Sequence, residues 1–398
     1  MKLLSKKGLL ALALCTTLLG CNPKQENAGQ LPVIDVAGAY NNISEINLSE
    51  YASSIEYIPL ETTDESMIPG NIIGMRIAPT DDGYVIFSAN TSNIPLHFSN
   101  TGKFISKIGT VGRAEKEFGS VYNAFPHNNC IDIPDYQKII TYNLADGSYV
   151  KSTPANIGVS HAYRYPDGTY TYLEMNFETK LDNIFVIDST GKEIASKLLG
   201  QYELNKPTAE ALENTPPEGS GIFSFAIVRK KQPLLCAGQN SPVIFINEKD
   251  TVYAVDKTAA ISPKYLVNYG DFRPGLYINS IFFETDKFII SRALFNGQLY
   301  PNIKDGYRFI HFVYDKQSGQ TRGLEVDPAT KSAGFTNDLD NGGIAFFPKT
   351  LANGKMYQLV DAIKFMDYAE QSSSQKMKEI AAQLNEESNP VMVVVTLK

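Results

Sequence analysis

Four histidines, His97, His127, His161 and His311, are the side chains in this chain best suited to acid–base or metal chemistry. A zinc site needs other His, Cys or Glu ligands at short spacing, and none of the four has such company. Asp338-Leu-Asp340-Asn-Gly342-Gly343 opens like a calcium-binding EF-hand loop. Gly342 stands at its fifth position and Lys349 at its twelfth, where acids belong, so the stretch reads as a turn. A Gly-x-Ser-x-Gly nucleophile elbow and a Gly-rich phosphate loop are both missing. A Ser-His-Asp set stays open, because its members need not be close in sequence.

Scattered polar and aromatic residues remain. His127 and Asn128, His161, Asn279, and Asn337 with Asp338 offer oxygen and nitrogen ligands from separate parts of the chain. If the oxygens met about 2.3–2.6 Å from one point they would hold calcium. If they scatter over different faces, a calcium-dependent reaction has no site. Asn and Asp ordinarily satisfy turn backbones, and that is their default use. Tyr163, Tyr165, Tyr170 and Tyr172 flank the Pro166-Asp167-Gly168 turn, with Arg164 between the first two. Rings on one hairpin face would make a platform for sugars, whereas packing between sheets is their commoner use.

Any such site must be carried by strands. Short runs rich in β-branched and aromatic residues recur: Tyr84–Phe87, Lys138–Tyr142, Asn183–Ile187, Val243–Ile246, Lys287–Ile290 and Phe309–Tyr314. None alternates with a long amphipathic helix, so a parallel α/β sheet is not expected. A hairpin repeats among them. Phe98-Ser-Asn-Thr-Gly-Lys-Phe-Ile105 reads strand, tight turn, strand, and it returns at Tyr142–Val150 and Ile187–Ile194. Looser copies are Ile246–Tyr253 and Tyr314–Thr321. Turn glycines 102, 147 and 191 are 45 and 44 residues apart, the length of one four-stranded propeller blade. The expected fold is therefore all-β, a six-bladed β-propeller of four-stranded antiparallel blades, forming one domain over residues 36–398. A short helical insertion is expected in 201–222. A C-terminal helix is expected after Ser372-Ser373-Ser374, where Met377, Ile380, Ala381 and Leu384 follow helical spacing up to Asn389-Pro390. Ile55–Leu60 and Val391–Leu397 are the candidates for a blade shared by both ends of the chain.

The N-terminus reads as an export signal. Lys2, Lys6 and Lys7 precede an uncharged run from Gly8 to Leu19, too short to span a bilayer comfortably. Leu18-Leu19-Gly20-Cys21 resembles a lipobox, which predicts cleavage of residues 1–20 and lipid attachment at Cys21. Stable anchoring takes more than one acyl chain. Residues 21–35, polar and breaker-rich after the cysteine, read as a tether. Loss of those three lysines moves the formal charge from −7 to −10. An acidic body without a basic run argues against nucleic acid and against anionic membrane surfaces. Cys130 and Cys236 remain in the body, and two buried free thiols are expected rather than a bridge. Trp is absent while there are 22 Tyr and 21 Phe, which suits a β-rich core and removes the residue most used to stack on sugars.

Ile55-Glu-Tyr-Ile-Pro-Leu-Glu-Thr62, Phe98–Gly109, Asp250-Thr-Val-Tyr253, Tyr265–Gly270 and Asn389-Pro390-Val391 together resemble the six-bladed β-propeller lipoproteins of Bacteroidota, NHL-repeat-like in shape. The resemblance covers nearly the whole mature chain, and its motifs are structural. One departure is Gly112-Arg-Ala-Glu-Lys-Glu-Phe118, where the family often has a Gly-Pro-Gly-Glu-Tyr-like loop. The resemblance implies a cell-envelope lipoprotein of the outer membrane, on either its periplasmic or its surface face, whose site would lie at the mouth of the central channel. Two functions follow as expectations. One is a lipid-displayed binding or scaffold module for a glycan, peptide or envelope protein, without a cofactor. The other is a calcium-dependent lactonase-like or glycan-cleaving enzyme.

Overall fold

A computed structural model describes residues 30–68, 72–89, 92–135, 137–155, 161–176, 181–201, 233–246, 249–273, 276–295, 309–326, 333–340 and 343–398. The 201–222 insertion lies almost wholly outside these residues, and so does Cys21. The described chain begins with β1 (Val33–Asp35), helix α1 (Val36–Asn41), β2 (Ile43–Ser44) and β3 (Ala52–Pro59). Blade 1 takes β4 (Met75–Pro79), β5 (Gly83–Ser88), β6 (Leu96–Ser99) and β7 (Phe104–Lys107). Blade 2 takes β8 (Phe125–His127), β9 (Cys130–Asp135), β10 (Lys138–Asn143) and β11 (Tyr149–Pro154). Blade 3 takes β12 (Ala162–Arg164), β13 (Tyr170–Asn176), β14 (Leu181–Ile187) and β15 (Glu193–Gln201). Blade 4 takes β16 (Pro233–Ala237), β17 (Pro242–Ile246), β18 (Thr251–Val255) and β19 (Ile261–Asn268). Blade 5 takes β20 (Leu276–Glu284), β21 (Phe288–Phe295), β22 (Phe309–Asp315) and β23 (Thr321–Leu324). Blade 6 has β24 (Thr350–Ala352) and β25 (Lys355–Val360), then helices α2 (Ala362–Gln371) and α3 (Gln375–Ala381), then β26 (Val391–Leu397).

In blades 1 to 5 the four strands pair in sequence order and antiparallel, and blade 6 takes β3 as its outer strand beside β26, which gives the six-bladed propeller expected from the 44–45-residue repeat. The first strands of neighbouring blades touch: β24 with β4, β4 with β8, β12 with β16 and β16 with β20. They are therefore the innermost strands around the axis, and their N-terminal ends share one mouth of the channel. Each blade is sandwiched between two others, so its middle strands are apolar on both faces. Val85, Ile86, Ile139, Ile140, Ile289 and Ile290 are buried in sequence pairs, which explains why these runs do not alternate.

The repeated turn joins the third and outer strands. Gly102, Gly147, Gly191 and Gly319 adopt positive φ there. In blade 3 the Asp188 carboxylate accepts from the backbone N–H groups of Thr190 and Lys192. Blade 4 has the same turn at Asp256, which accepts from Thr258 and Ala260, with Ala259 at φ 59° in the glycine position. The looser copy read at Ile246–Tyr253 instead connects β17 to β18, so the true fourth copy lies a few residues later.

The N-terminal segment straps the ring from outside. β1 pairs parallel with β19, β2 parallel with β23, and β3 antiparallel with β26. The last pairing puts Tyr57 opposite Val393 and Ile55 opposite Val395, closing blade 6 with strands from both ends of the chain. The C-terminal helix is present as α3, capped by Ser374, and it follows a second helix, α2, capped by Asp361. Both lie over the blade 5–6 core, where Phe365 and Met377 meet Tyr57, Phe335 and Phe346. Cys130 and Cys236 form no disulfide, and only Cys236 is buried, Cys130 being half-buried rather than buried as expected.

Candidate functional site

Three of the residues singled out from sequence, His127, Arg164 and Tyr170, meet at a fourth that was not. Asp132 on β9 lies between blades 2 and 3, with its side chain 8% exposed. Thr141 Oγ1 donates to its Oδ1 at 2.6 Å, and Tyr170 OH donates to its Oδ2 at 2.6 Å. Arg164 Nε donates to the same Oδ2 at 3.0 Å. His127 Nε2 is 2.8 Å from it but finds no aligned hydrogen-bond partner.

Strand geometry builds this cluster. In blade 2 Thr141 stands opposite Asp132, and His127 sits at the end of the inner strand. In blade 3 Arg164 stands opposite Tyr170, so both project from one face toward blade 2. Burial pushes the Asp132 carboxyl up, but the His127, Thr141 and Tyr170 contacts outweigh it and hold the group down at about 2. Burial, and the Asp132 charge after it, push the Tyr170 phenol well above its ordinary value. Asp132 is therefore a saturated anion rather than a proton carrier. The adjoining pocket, lined by His127, Lys151, Arg164 and Ser189 among others, holds about 60 Å³. That is room for a few waters, far below the roughly 300 Å³ of the smallest ordinary ligand pockets.

The tyrosines divide between the two faces of blade 3. Tyr170 and Tyr172 face blade 2, packing with Ile139, Ala155 and Ile187. Tyr163 stands opposite Thr171 on the other face, where it meets Tyr165 edge-on at 4.9 Å. Tyr165 reaches blade 4, its OH 3.5 Å from the Val255 carbonyl, and Lys257 lies over its ring. Tyr165, Tyr170 and Tyr172 are all buried, and the four rings pack between blades in two pairs.

The other candidates lie apart. Asn128 and Asn129 have φ of 45° and 59° and form the two-residue turn between β8 and β9. Asn337 is 2% exposed and donates to Tyr57 OH, while Asp338 accepts from the Ser49 N–H and hydroxyl. Asp340 accepts from Tyr57 OH and Ser374. Asn279 lies on β20, and its side chain is outside the described residues. Among the described residues no three His, Cys, Asp or Glu side chains are grouped to hold a metal.

His161 belongs to a different set. It directly precedes β12, near Arg76 of β4, and burial followed by the Arg76 charge lowers its pKa to about 4. Arg76 is accessible in the channel yet sufficiently enclosed that desolvation lowers its own pKa. It donates to the Tyr122 carbonyl and Asn123 Oδ1. Arg292 and His311 of blade 5 and Lys349, just before the inner strand of blade 6, come together, and sequence reading passed over the first and last. Their shared signal, with Asp132, is a lone charge inside or beside an apolar run: Ile131-Asp-Ile133, Ile290-Ser-Arg-Ala293 and Phe346-Phe-Pro-Lys349.

The chain shares its fold with a Bacteroides fragilis protein classed as exported, at 16% identity and TM-score 0.61, covering 93% of this chain and 100% of that one. A DUF4221 member from Bacteroides vulgatus aligns at 10% identity and TM-score 0.42, covering 90% and 99% of the two chains. Virginiamycin B lyase of Staphylococcus aureus aligns at 13% identity and TM-score 0.38, covering 70% and 77%. The last two are too distant to carry an argument about chemistry. No curated protein matches the sequence. The model of DUF4934, a domain of unknown function, matches residues 31–396, and the chain belongs to that family.

Proposed function

We propose that this protein is an exported, lipid-anchored component of the cell envelope, probing its surroundings with a propeller that binds or scaffolds a glycan, peptide or partner protein. Export is supported by the charged start and uncharged run before Cys21, and by the exported class of the Bacteroides fragilis protein that shares the fold. Among the described residues no helix is long and apolar enough to cross a membrane, and the lipobox-like Leu18-Leu19-Gly20-Cys21 supports attachment through lipid on Cys21. The anchor is assigned to the outer membrane on the strength of the family resemblance.

The observation that carries the binding reading is where the polar side chains go. Asn128 makes a turn, Asn337 and Asp340 hold Tyr57, Asp338 holds Ser49, and Asp132 is saturated by its neighbours. Side chains committed in this way position the blades and loops around them. Labelling with radioactive palmitate, comparing the natural chain with Cys21→Ala, tests the anchor: label retained on the variant rejects lipid at that residue. Thermal unfolding against a panel of glycans, with and without calcium, tests the propeller, because a ligand of the folded state raises stability with occupancy. A glycan shift without metal supports binding. A shift that requires calcium overturns the reading in favour of a metal-dependent site.

A further inference from the structure

Because the strands of blades 2 and 3 run antiparallel in sequence order, the turns after their first and third strands share one face of the ring. It is the face away from the N-terminal ends of the inner strands. There the cavity between the two blades is lined by Lys151, Thr153, Arg164, Gly168 and Ser189, with His127 and Asp132. Gly168 belongs to the turn after β12 and Ser189 to the turn after β14. Gly168 has a φ of 85°, and a Cβ built on it would stand 3.1 Å from Ser189 Cβ and 3.7 Å from Arg164 Nη2. The bare Cα therefore leaves open the space between the serine and the end of the guanidinium.

What lines this space is an excess of donors. Asp132 is already engaged, Oδ1 accepting from Thr141 and Oδ2 from Tyr170 and Arg164. Arg164 gives Nε to that carboxylate and Nη1 to the Tyr165 carbonyl, and turns Nη2 toward Gly168. Lys151 is exposed, and among the described residues neither its ammonium nor the hydroxyls of Thr153 and Ser189 make a hydrogen bond or ion pair. His127 Nε2 is buried and also lacks an aligned partner. The Asp188 carboxylate beside Ser189 is spent on its own turn, accepting from Thr190 and Lys192. Arg164 and Asp132 offset each other, which leaves the charge of Lys151. The cavity holds about 60 Å³. At about 10–15 Å³ for each water-sized atom, that is room for a group of about four or five heavy atoms.

We propose that this crevice is a subsite for one carboxylate group, held by Lys151, the Nη2 end of Arg164 and the Ser189 hydroxyl. A guanidinium edge and an ammonium are donors suited to the two oxygens of a carboxylate. A carboxylate with the carbon that bears it fills the volume and carries the single negative charge that Lys151 balances. Phosphate is larger, and its second charge would stand beside the Asp132 anion, where like charges repel. The rest of the acid lies outside the cavity, over the turns of blades 2 and 3. The inference rests on the binding reading and narrows it to acidic ligands. A free organic acid and the uronic acid residue of a glycan share this chemistry, and the test separates them.

The experiment is calorimetric titration and thermal unfolding of the full chain in detergent micelles. The probes are glucuronate, acetate and orthophosphate, against glucose and chloride at equal ionic strength. Glucuronate and glucose share a ring and differ in the carboxylate, so glucuronate binds and glucose does not. Lys151→Gln weakens that binding about three- to tenfold, while Lys151→Arg retains it. Ser189→Leu fills the cavity and abolishes binding. Both positions are exposed, so without ligand these variants melt with the natural chain. Acetate binding as tightly as glucuronate assigns the subsite to free acids, and a preference for glucuronate assigns it to a uronic acid residue. Equal responses to glucose and glucuronate overturn the proposal, as do tighter binding of orthophosphate and undiminished binding by both Lys151→Gln and Ser189→Leu. No response to either carboxylate also overturns it, leaving a cavity for water alone. A melting shift with neutral glycans beside that failure keeps the broader binding reading in place.

Discussion

Replacing Asp132 by Asn tests whether the blade 2–3 contact is held by charge. The carboxyl is held at about 2 against an ordinary 3.8, and the side chain is 8% exposed. A difference of that size corresponds to about 2.5 kcal/mol of stabilisation of the charged form. Asn keeps the shape and can still accept from Thr141 or Tyr170, but Arg164 loses its counter-ion. Removing one partner of a buried pair costs about 3–5 kcal/mol when nothing replaces it. The expected loss is therefore about 2.5–4 kcal/mol. For the unit Pro32–Lys398, an unfolding entropy of about 2.1 cal/mol/K per residue makes about 0.77 kcal/mol/K, so the melting temperature should fall about 3–5 °C at pH 7. The sign with pH is fixed by the depressed carboxyl. Its contribution is complete above about pH 4 and disappears as the pH falls through 2, so the gap between the two proteins closes in acid. Scanning calorimetry at pH 7, combined with Arg164→Met and the double variant, gives the coupling directly. A loss under 1 °C, or a coupling below about 0.5 kcal/mol, refutes the account.

Other perturbations follow from the same structure. His161 and His311 are held neutral by burial, at about 4 and about 3 against an ordinary 6.5. The unfolded chain thus takes up protons first, and each histidine should cost up to about 2 kcal/mol between pH 6.5 and 5, a slope that urea melts of His311→Gln would flatten. Asn389 donates to the carbonyls of Glu61 and Ser66 and accepts from Ile68 N–H, so Asn389→Asp should lose about 3 kcal/mol or more at pH 7, read by chemical denaturation. Deleting residues 391–398 removes five consecutive buried side chains, Val391 to Val395, and the partner of β3. At about 1.5–3 kcal/mol for each buried apolar side chain this approaches the whole stability of an ordinary domain, so limited proteolysis should find an opened ring.

The architecture was legible because propeller blades repeat both their length and their turn. Gly102, Gly147 and Gly191 revealed the period, and each occupies the positive-φ position its turn requires. The fourth copy escaped because Ala259 fills that position, leaving Asp256-Lys-Thr258 as the surviving trace. Helix α2 escaped for another reason: its packing residues, Phe365 and Ala369 among them, lack the serine run that advertised α3. For the site, residue type was a poorer guide than setting. Asn128, Asn337 and Asp338 were chosen as ligands, yet each bonds or shapes neighbouring backbone and loops. Arg292 showed only as a lone charge inside an apolar run, since what makes it unusual is a bulge on the strand beside it. Register of that kind is set by tertiary packing and leaves no local pattern.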